Sequence, residues 1–200
     1  MKQNHALIIV DVQNDFCPGG KLAVNGGQDI IPVVNHLATA FSHVILTQDW
    51  HPEGHSSFAS QHGGAEPFTQ IQMPYGPQTL WPDHCIIGSE GAKFLDSLVV
   101  PNAELIIRKG FRKAIDSYSA FFENDHKTPT GLGGYLKERG FTHVTCVGLA
   151  FDYCVRYSAE NAKALGFGVT VIEAATRAID LGGSADATRK SFAERGIVLA

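Results

Sequence analysis

Short unbroken apolar runs alternate along this chain with stretches whose apolar residues recur every three to four positions. Residues 6–10, Ala-Leu-Ile-Ile-Val, form the first run, the signature of a strand covered on both faces. Across residues 29–41, Ile30, Val33, Val34, Leu37, Ala38 and Phe41 follow helical spacing, with Pro32 where a first turn tolerates it. Further strands are predicted over 43–46, 104–108, 143–149, 169–172 and 197–199. Helices are expected over 132–139, from about Asp152 to Ala164, and from Ser184, read as an N-cap, to a stop at Gly196. Residues 94–98 suggest a turn or two of helix, and 115–122, which carry Asp116, Tyr118 and three aromatics in all, suggest a pocket wall and a short helix. Residues 53–80 carry no periodic run, and their Gly, Pro, Ser, His and Gln content predicts a long excursion of the kind that is usually functional or mobile. This order of elements predicts one domain over residues 1–200, a three-layer α/β/α fold with a mainly parallel sheet and a site-forming loop at about 51–85.

Composition narrows the function. With 200 residues, 44% of them hydrophobic and 18% charged, the chain suits a single domain with a sizeable core. The net charge is -4 and no lysine-arginine run occurs, so neither nucleic acid nor an anionic membrane is an expected partner. Met-Lys-Gln-Asn-His leads straight into the first strand, too short for a signal peptide's apolar region, and no run reaches membrane-span length. The four cysteines, Cys17, Cys85, Cys146 and Cys154, contain no CxxC pair, which points to reduced thiols in a cytoplasmic protein acting on a small molecule.

Chemistry gathers at the predicted strand ends. Parallel sheets bind ligands at the carboxyl ends of their strands, and Asp11, Lys109 and Cys154 each follow a strand. Singly, each has an ordinary reading: a turn cap, a solvated lysine, a small buried thiol. Together they suit acyl transfer through a thioester, with Asp11 moving the proton and Lys109 holding thiolate and carboxylate in register. Cys154 is placed at a helix N-terminus, which can lower a thiol's pKa and hold an oxyanion. Asp49 and His51 alternate in an extended segment and so share a side, and His84 in Trp-Pro-Asp-His-Cys completes a possible metal set, with His55 and His62 as looser candidates. Phe16, an exposed-looking aromatic in a glycine-rich loop, is available to line a pocket.

Five motifs in order, Ile-Val-Asp-Val-Gln-Asn-Asp-Phe, Thr-Gln-Asp-Trp-His-Pro, Trp-Pro-Asp-His-Cys, Arg-Lys-Gly and Gly-Leu-Ala-Phe-Asp-Tyr-Cys-Val, resemble the nicotinamidases of the isochorismatase-like cysteine hydrolase superfamily. The resemblance runs from Ala6 to the C-terminus. It implies a six-stranded parallel, Rossmann-like sheet and hydrolysis of nicotinamide to nicotinate and ammonia. By matched position it implies Cys154 as nucleophile, Asp11 as general base and acid, and Lys109 as third member of the triad. It further implies a cis Leu149–Ala150 bond, an oxyanion hole from the N–H groups of Ala150 and Cys154, and ring contacts from Phe16, Trp81, Tyr118 and Ala150. Asp49, His51 and His84 would hold one divalent metal, whether zinc, iron or manganese, to anchor the pyridine ring. A homo-oligomer is compatible with this reading. Three alternatives stand beside it: a related cysteine amidohydrolase for another small amide or carbamoyl compound, a metal hydrolase using bound water with Cys154 structural, and a catalytically silent binding module.

Overall fold

The computed structural model describes residues 4–200; Met1, Lys2 and Gln3 of the lead-in lie outside the described residues. In chain order the elements are β1 (His5–Val10), α1 (Ile31–Ala40), β2 (Val44–Asp49), β3 (Gln70–Met73), β4 (Gly76–Thr79), β5 (Ala103–Lys109), α2 (Leu132–Glu138), β6 (His143–Leu149), α3 (Arg156–Ala164), β7 (Gly168–Arg177), α4 (Ser184–Arg195) and β8 (Val198–Leu199). Six strands form one sheet in the order β5-β2-β1-β6-β7-β8, every pairing parallel, and β3 and β4 pair apart from it as an antiparallel hairpin.

The continuous apolar run of β1 is explained by its position. Successive side chains of a strand point to opposite faces, and both faces of this sheet are covered. Ala6, Ile8 and Val10 pack in one core with Leu132 and Leu136 of α2, Ala159 and Ala162 of α3, and Phe192 of α4. Leu7 and Ile9 pack in the other with Ile31, Val34 and Ala38 of α1. Each such fully buried aliphatic side chain contributes roughly 1.5–3 kcal/mol.

Strand order locates the crevice. The chain winds outward from β1 through β2 to β5, then returns on the other side of β1 as β6, so its direction reverses between β1 and β6. Val10 pairs with Gly148 there. Gly148 has φ +110° and a Cβ on it would fall 2.1 Å from the Val10 carbonyl oxygen, so only glycine lets the strands close. Asp11 and the Leu149–Ala150 bond, cis as expected, follow directly.

Several expectations need correction. β2 reaches Asp49 and β7 reaches Arg177, beyond the short runs read from the sequence. The 53–80 excursion holds a 3-10 turn at Ala59–Gln61 and the β3–β4 hairpin, whose polar residues hide its pairing. Residues 94–98 form a turn with a bridge from Phe94 to Gln13, and 115–122 are irregular, neither of them helical. In the second segment side chains compete for the backbone: Ser117 N–H donates to Asp116 Oδ1, Phe121 N–H to Ser119 Oγ and Ala120 N–H to Ser158 Oγ. Gly183 is the N-cap of α4, and the Ser184 hydroxyl instead donates to Asp152.

Candidate active site

Strand ends bring Asp11, Lys109 and Cys154 into contact. Lys109 Nζ lies 2.9 Å from Asp11 Oδ2, 3.0 Å from Asp49 Oδ1 and 3.4 Å from Cys154 Sγ, and it donates to the Ser117 carbonyl at 2.9 Å. Its side chain is fully buried. Asp11 Oδ1 accepts from the Thr47 hydroxyl at 2.6 Å. Its Oδ2 has the ion pair but no aligned hydrogen bond, leaving an acceptor direction open.

Burial and charge set the resting protonation. Desolvation raises the Asp11 carboxyl, with Lys109 working against it. Burial likewise pushes the Cys154 thiol well up, although Lys109 opposes it and the chain enters α3 there. The expectation of a thiol lowered by a helix N-terminus does not hold: Cys154 sits in a wide π turn, Phe151–Val155, ahead of α3, and desolvation dominates. Burial works against the Lys109 ammonium too, but Asp11 and Asp49 hold it charged. Burial thus favours the protonated form of both the thiol and the carboxyl, and Lys109 favours the ionised form of both. Cys17 and Cys146 are also buried, their thiols pushed to about 11 and about 12, and neither lines the pocket.

That pocket is narrow, its empty space of about 330 Å3 including open solvent at the mouth. Phe16, Trp81, Tyr118 and Ala150 line it together with Cys154, Lys109, Asp49 and His84. Phe16 is buried at 4% exposure, correcting its exposed reading, and meets His84 edge-on at 5.5 Å. Trp81 packs edge-on against Tyr153 at 4.9 Å, closing another wall.

Asp49, His51 and His84 also converge, all buried. His51 Nδ1 faces the Gly110 carbonyl at 2.9 Å and His84 Nδ1 the Pro82 carbonyl at 2.8 Å. A carbonyl can only accept, so each Nδ1 carries the proton. The two Nε2 lone pairs then face Asp49 Oδ2 at 2.9 and 3.2 Å. Three acceptors pointed at one another require a cation or an extra proton between them, and the donor set fits a divalent metal. Gly110 admits His51: φ is +68° and a Cβ would meet the ring at 2.5 Å. His55 is engaged elsewhere, Nδ1 on Ser57 and Nε2 on the carbonyls of Arg112 and Ile115, while His62 Nε2 meets the Ser56 carbonyl.

Supporting residues escaped the sequence reading. Gln13 grips Asp49 by its backbone, Oε1 accepting from its N–H at 2.7 Å and Nε2 donating to its carbonyl at 2.8 Å. Asp15 Oδ2 accepts the Cys85 N–H at 2.7 Å, holding the loop of His84. Asp152, between Ala150 and Cys154, accepts the N–H groups of Ile179 and Asp180 and ties the loop after β7 to the turn that carries Cys154. No strand periodicity marked them, because β1 ends at Val10, Asp11 turns the chain with φ +47° and Asp15 lies in the 3-10 turn Asn14–Phe16.

The isochorismatase domain profile matches residues 5–199. A nicotinamidase of Acinetobacter baylyi is 56% identical over 186 residues, covering 92% of this chain and 87% of that protein. A solved structure described as Acinetobacter baumanii nicotinamidase pyrazinamidease superposes with a TM-score of 0.99 at 53% identity, covering 100% of this chain and 96% of that one. The pyrazinamidase of Pyrococcus horikoshii, solved in complex with zinc, gives 0.81 at 32% identity, covering 98% of each chain.

Proposed function

This chain belongs to the isochorismatase domain family, and from that premise we propose that it hydrolyses nicotinamide to nicotinate and ammonia through a Cys154 thioester. The observation that carries the reading is Lys109 Nζ within 3.4 Å of the Cys154 sulfur and 2.9 Å of Asp11, in a ring-lined pocket that also contains Asp49 and His84. Similarity to nicotinamidases along most of the chain supports the choice of amide.

Asp11 takes the Cys154 proton as sulfur attacks the carboxamide carbon. The thiol needs no prior ionisation, since base and nucleophile share the buried charge of Lys109. The N–H groups of Ala150 and Cys154 receive the developing oxyanion, each donor supplying about 3 kcal/mol of transition-state stabilisation. Ammonia departs with the proton from Asp11, and Asp11 then activates the water that cleaves the thioester. Phe16, Trp81 and Tyr118 hold the pyridine ring. Asp49, His51 and His84 would hold a divalent ion, whether zinc, iron or manganese, which would supply a Lewis acid to anchor the pyridine ring. Such a reaction would feed pyridine nucleotide salvage in a cytoplasm that keeps the thiol reduced.

Ammonia release from nicotinamide by the purified protein, beside Cys154→Ala and after chelation, tests this. Release that needs both thiol and metal is expected, with Cys154→Ala lowering kcat by at least roughly a thousandfold. Substantial turnover by Cys154→Ala would sink the thioester. No turnover by folded, metal-loaded protein would move the substrate to another amide or carbamoyl compound.

A further inference from the structure

The catalytic pocket borrows one wall from the excursion after β2. Gln78, near the end of β4, is fully buried, which is unusual for a carboxamide and requires that its polar atoms be used. Its Nε2 is shared among the Asp116 carboxylate (2.8 Å), the Tyr118 hydroxyl (2.9 Å) and the Thr79 carbonyl (2.7 Å). Its Oε1 accepts from Tyr75 Oη and Asn124 Nδ2, each at 3.1 Å. Asn124 in turn accepts the Tyr118 N–H at 3.0 Å, and Asp116 accepts the N–H of Ser117, whose carbonyl holds Lys109. Tyr118 is thus gripped at its hydroxyl by Gln78 and at its backbone by Asn124. Tyr118, with Tyr153, lines both the catalytic pocket and an outer groove that Tyr157, Arg156 and Pro77 also line.

We propose that Gln78 is the positioning residue that sets the width of the ring slot: it fixes Tyr118, and so decides which ring-substituted pyridine carboxamides enter. The inference rests on the reading of this pocket as a nicotinamide site. Gln78 hydrogen-bonds neither Cys154 nor Lys109 and reaches the lysine only through Asp116 and the Ser117 backbone, so its effect falls on ring binding and selectivity more than on the bond-breaking step. The excursion therefore works as a fixed wall tied into the site.

Two conservative variants and their combination test this. Gln78→Leu removes the grip, and Tyr118→Phe removes only the gripped hydroxyl and preserves the ring should the first variant fold poorly. Kinetics with nicotinamide and 5-methylnicotinamide should show KM for nicotinamide rising about tenfold in either variant, kcat within about threefold, and the preference for nicotinamide narrowing about tenfold. In the Tyr118→Phe background, Gln78→Leu should add less than about twofold to KM. Equal effects of Gln78→Leu in both backgrounds, or a fall confined to kcat, would overturn the proposal. A crystal structure of Gln78→Leu gives a readout independent of turnover: Tyr118 is expected to shift, and an unmoved ring refutes the inference. A wild type inert on nicotinamide would refute the substrate reading, leaving that ring position to judge Gln78.

Discussion

At the residue scale, function turns on where one proton rests. Burial raises the Asp11 carboxyl above its ordinary 3.8, and Lys109 only partly offsets this. In the proposed reaction the carboxylate is the base, so protonation as pH falls removes it. The acid limb of kcat/KM should therefore lie above the usual aspartate range, and Asp11→Asn should lose turnover by at least roughly a thousandfold. A pH–rate profile, taken with the protein's metal content held constant, checks both; an acid limb at or below 3.8 would contradict the assigned environment of Asp11. The residues of this proton path were legible in the sequence because each follows an apolar run. Their protonation was not, because desolvation of Cys154 depends on how many chain segments close over it. Nor were Gln13 and Asp152, whose partners Asp49 and Ile179 lie 36 and 27 positions away in sequence.

At the element scale, the site depends on how closely β1 and β6 approach. Gly148→Ala would put a Cβ 2.1 Å from the Val10 carbonyl oxygen at a φ of +110°, and neither backbone can yield without moving Asp11 or Ala150. The expected cost is about 3 kcal/mol or more of unfolding free energy, with loss of activity in whatever protein remains folded. Gly134, inside α2, has nothing within 4 Å of where a methyl group would stand, and Gly134→Ala should stabilise by about 1 kcal/mol through helix propensity. Denaturant unfolding of the two variants compares them; equal behaviour would mean that strand closure is not what requires Gly148. Strands with two covered faces declared themselves as continuous apolar runs. The β3–β4 hairpin did not, since the alternation of Gln70-Ile71-Gln72-Met73 lasts only four residues and Gly76-Pro77-Gln78-Thr79 opposite it offers no aliphatic or aromatic side chain.

At the scale of the whole molecule, three segments meet at one point: the end of β2 brings Asp49, the chain beyond it His51, and the return of the excursion His84. Among the described residues no helix is long and apolar enough to cross a membrane, and the organising constraint is this convergence above the sheet. Without a bound ion, two imidazole lone pairs face the Asp49 carboxylate in a buried space. An ion that binds only the folded chain stabilises it by mass action, about 4 kcal/mol when its free concentration is a thousand times its Kd. Chelation should therefore lower the thermal midpoint while far-ultraviolet circular dichroism keeps the α/β signature, since the sheet's two cores do not include the metal ligands. Added zinc should restore the midpoint, and His84→Ala should abolish that response. If metal analysis proves the protein ion-free and the midpoint neither falls on chelation nor rises with zinc, iron or manganese, the three side chains are a hydrogen-bonded cluster and substrate anchoring must come from the aromatic walls alone.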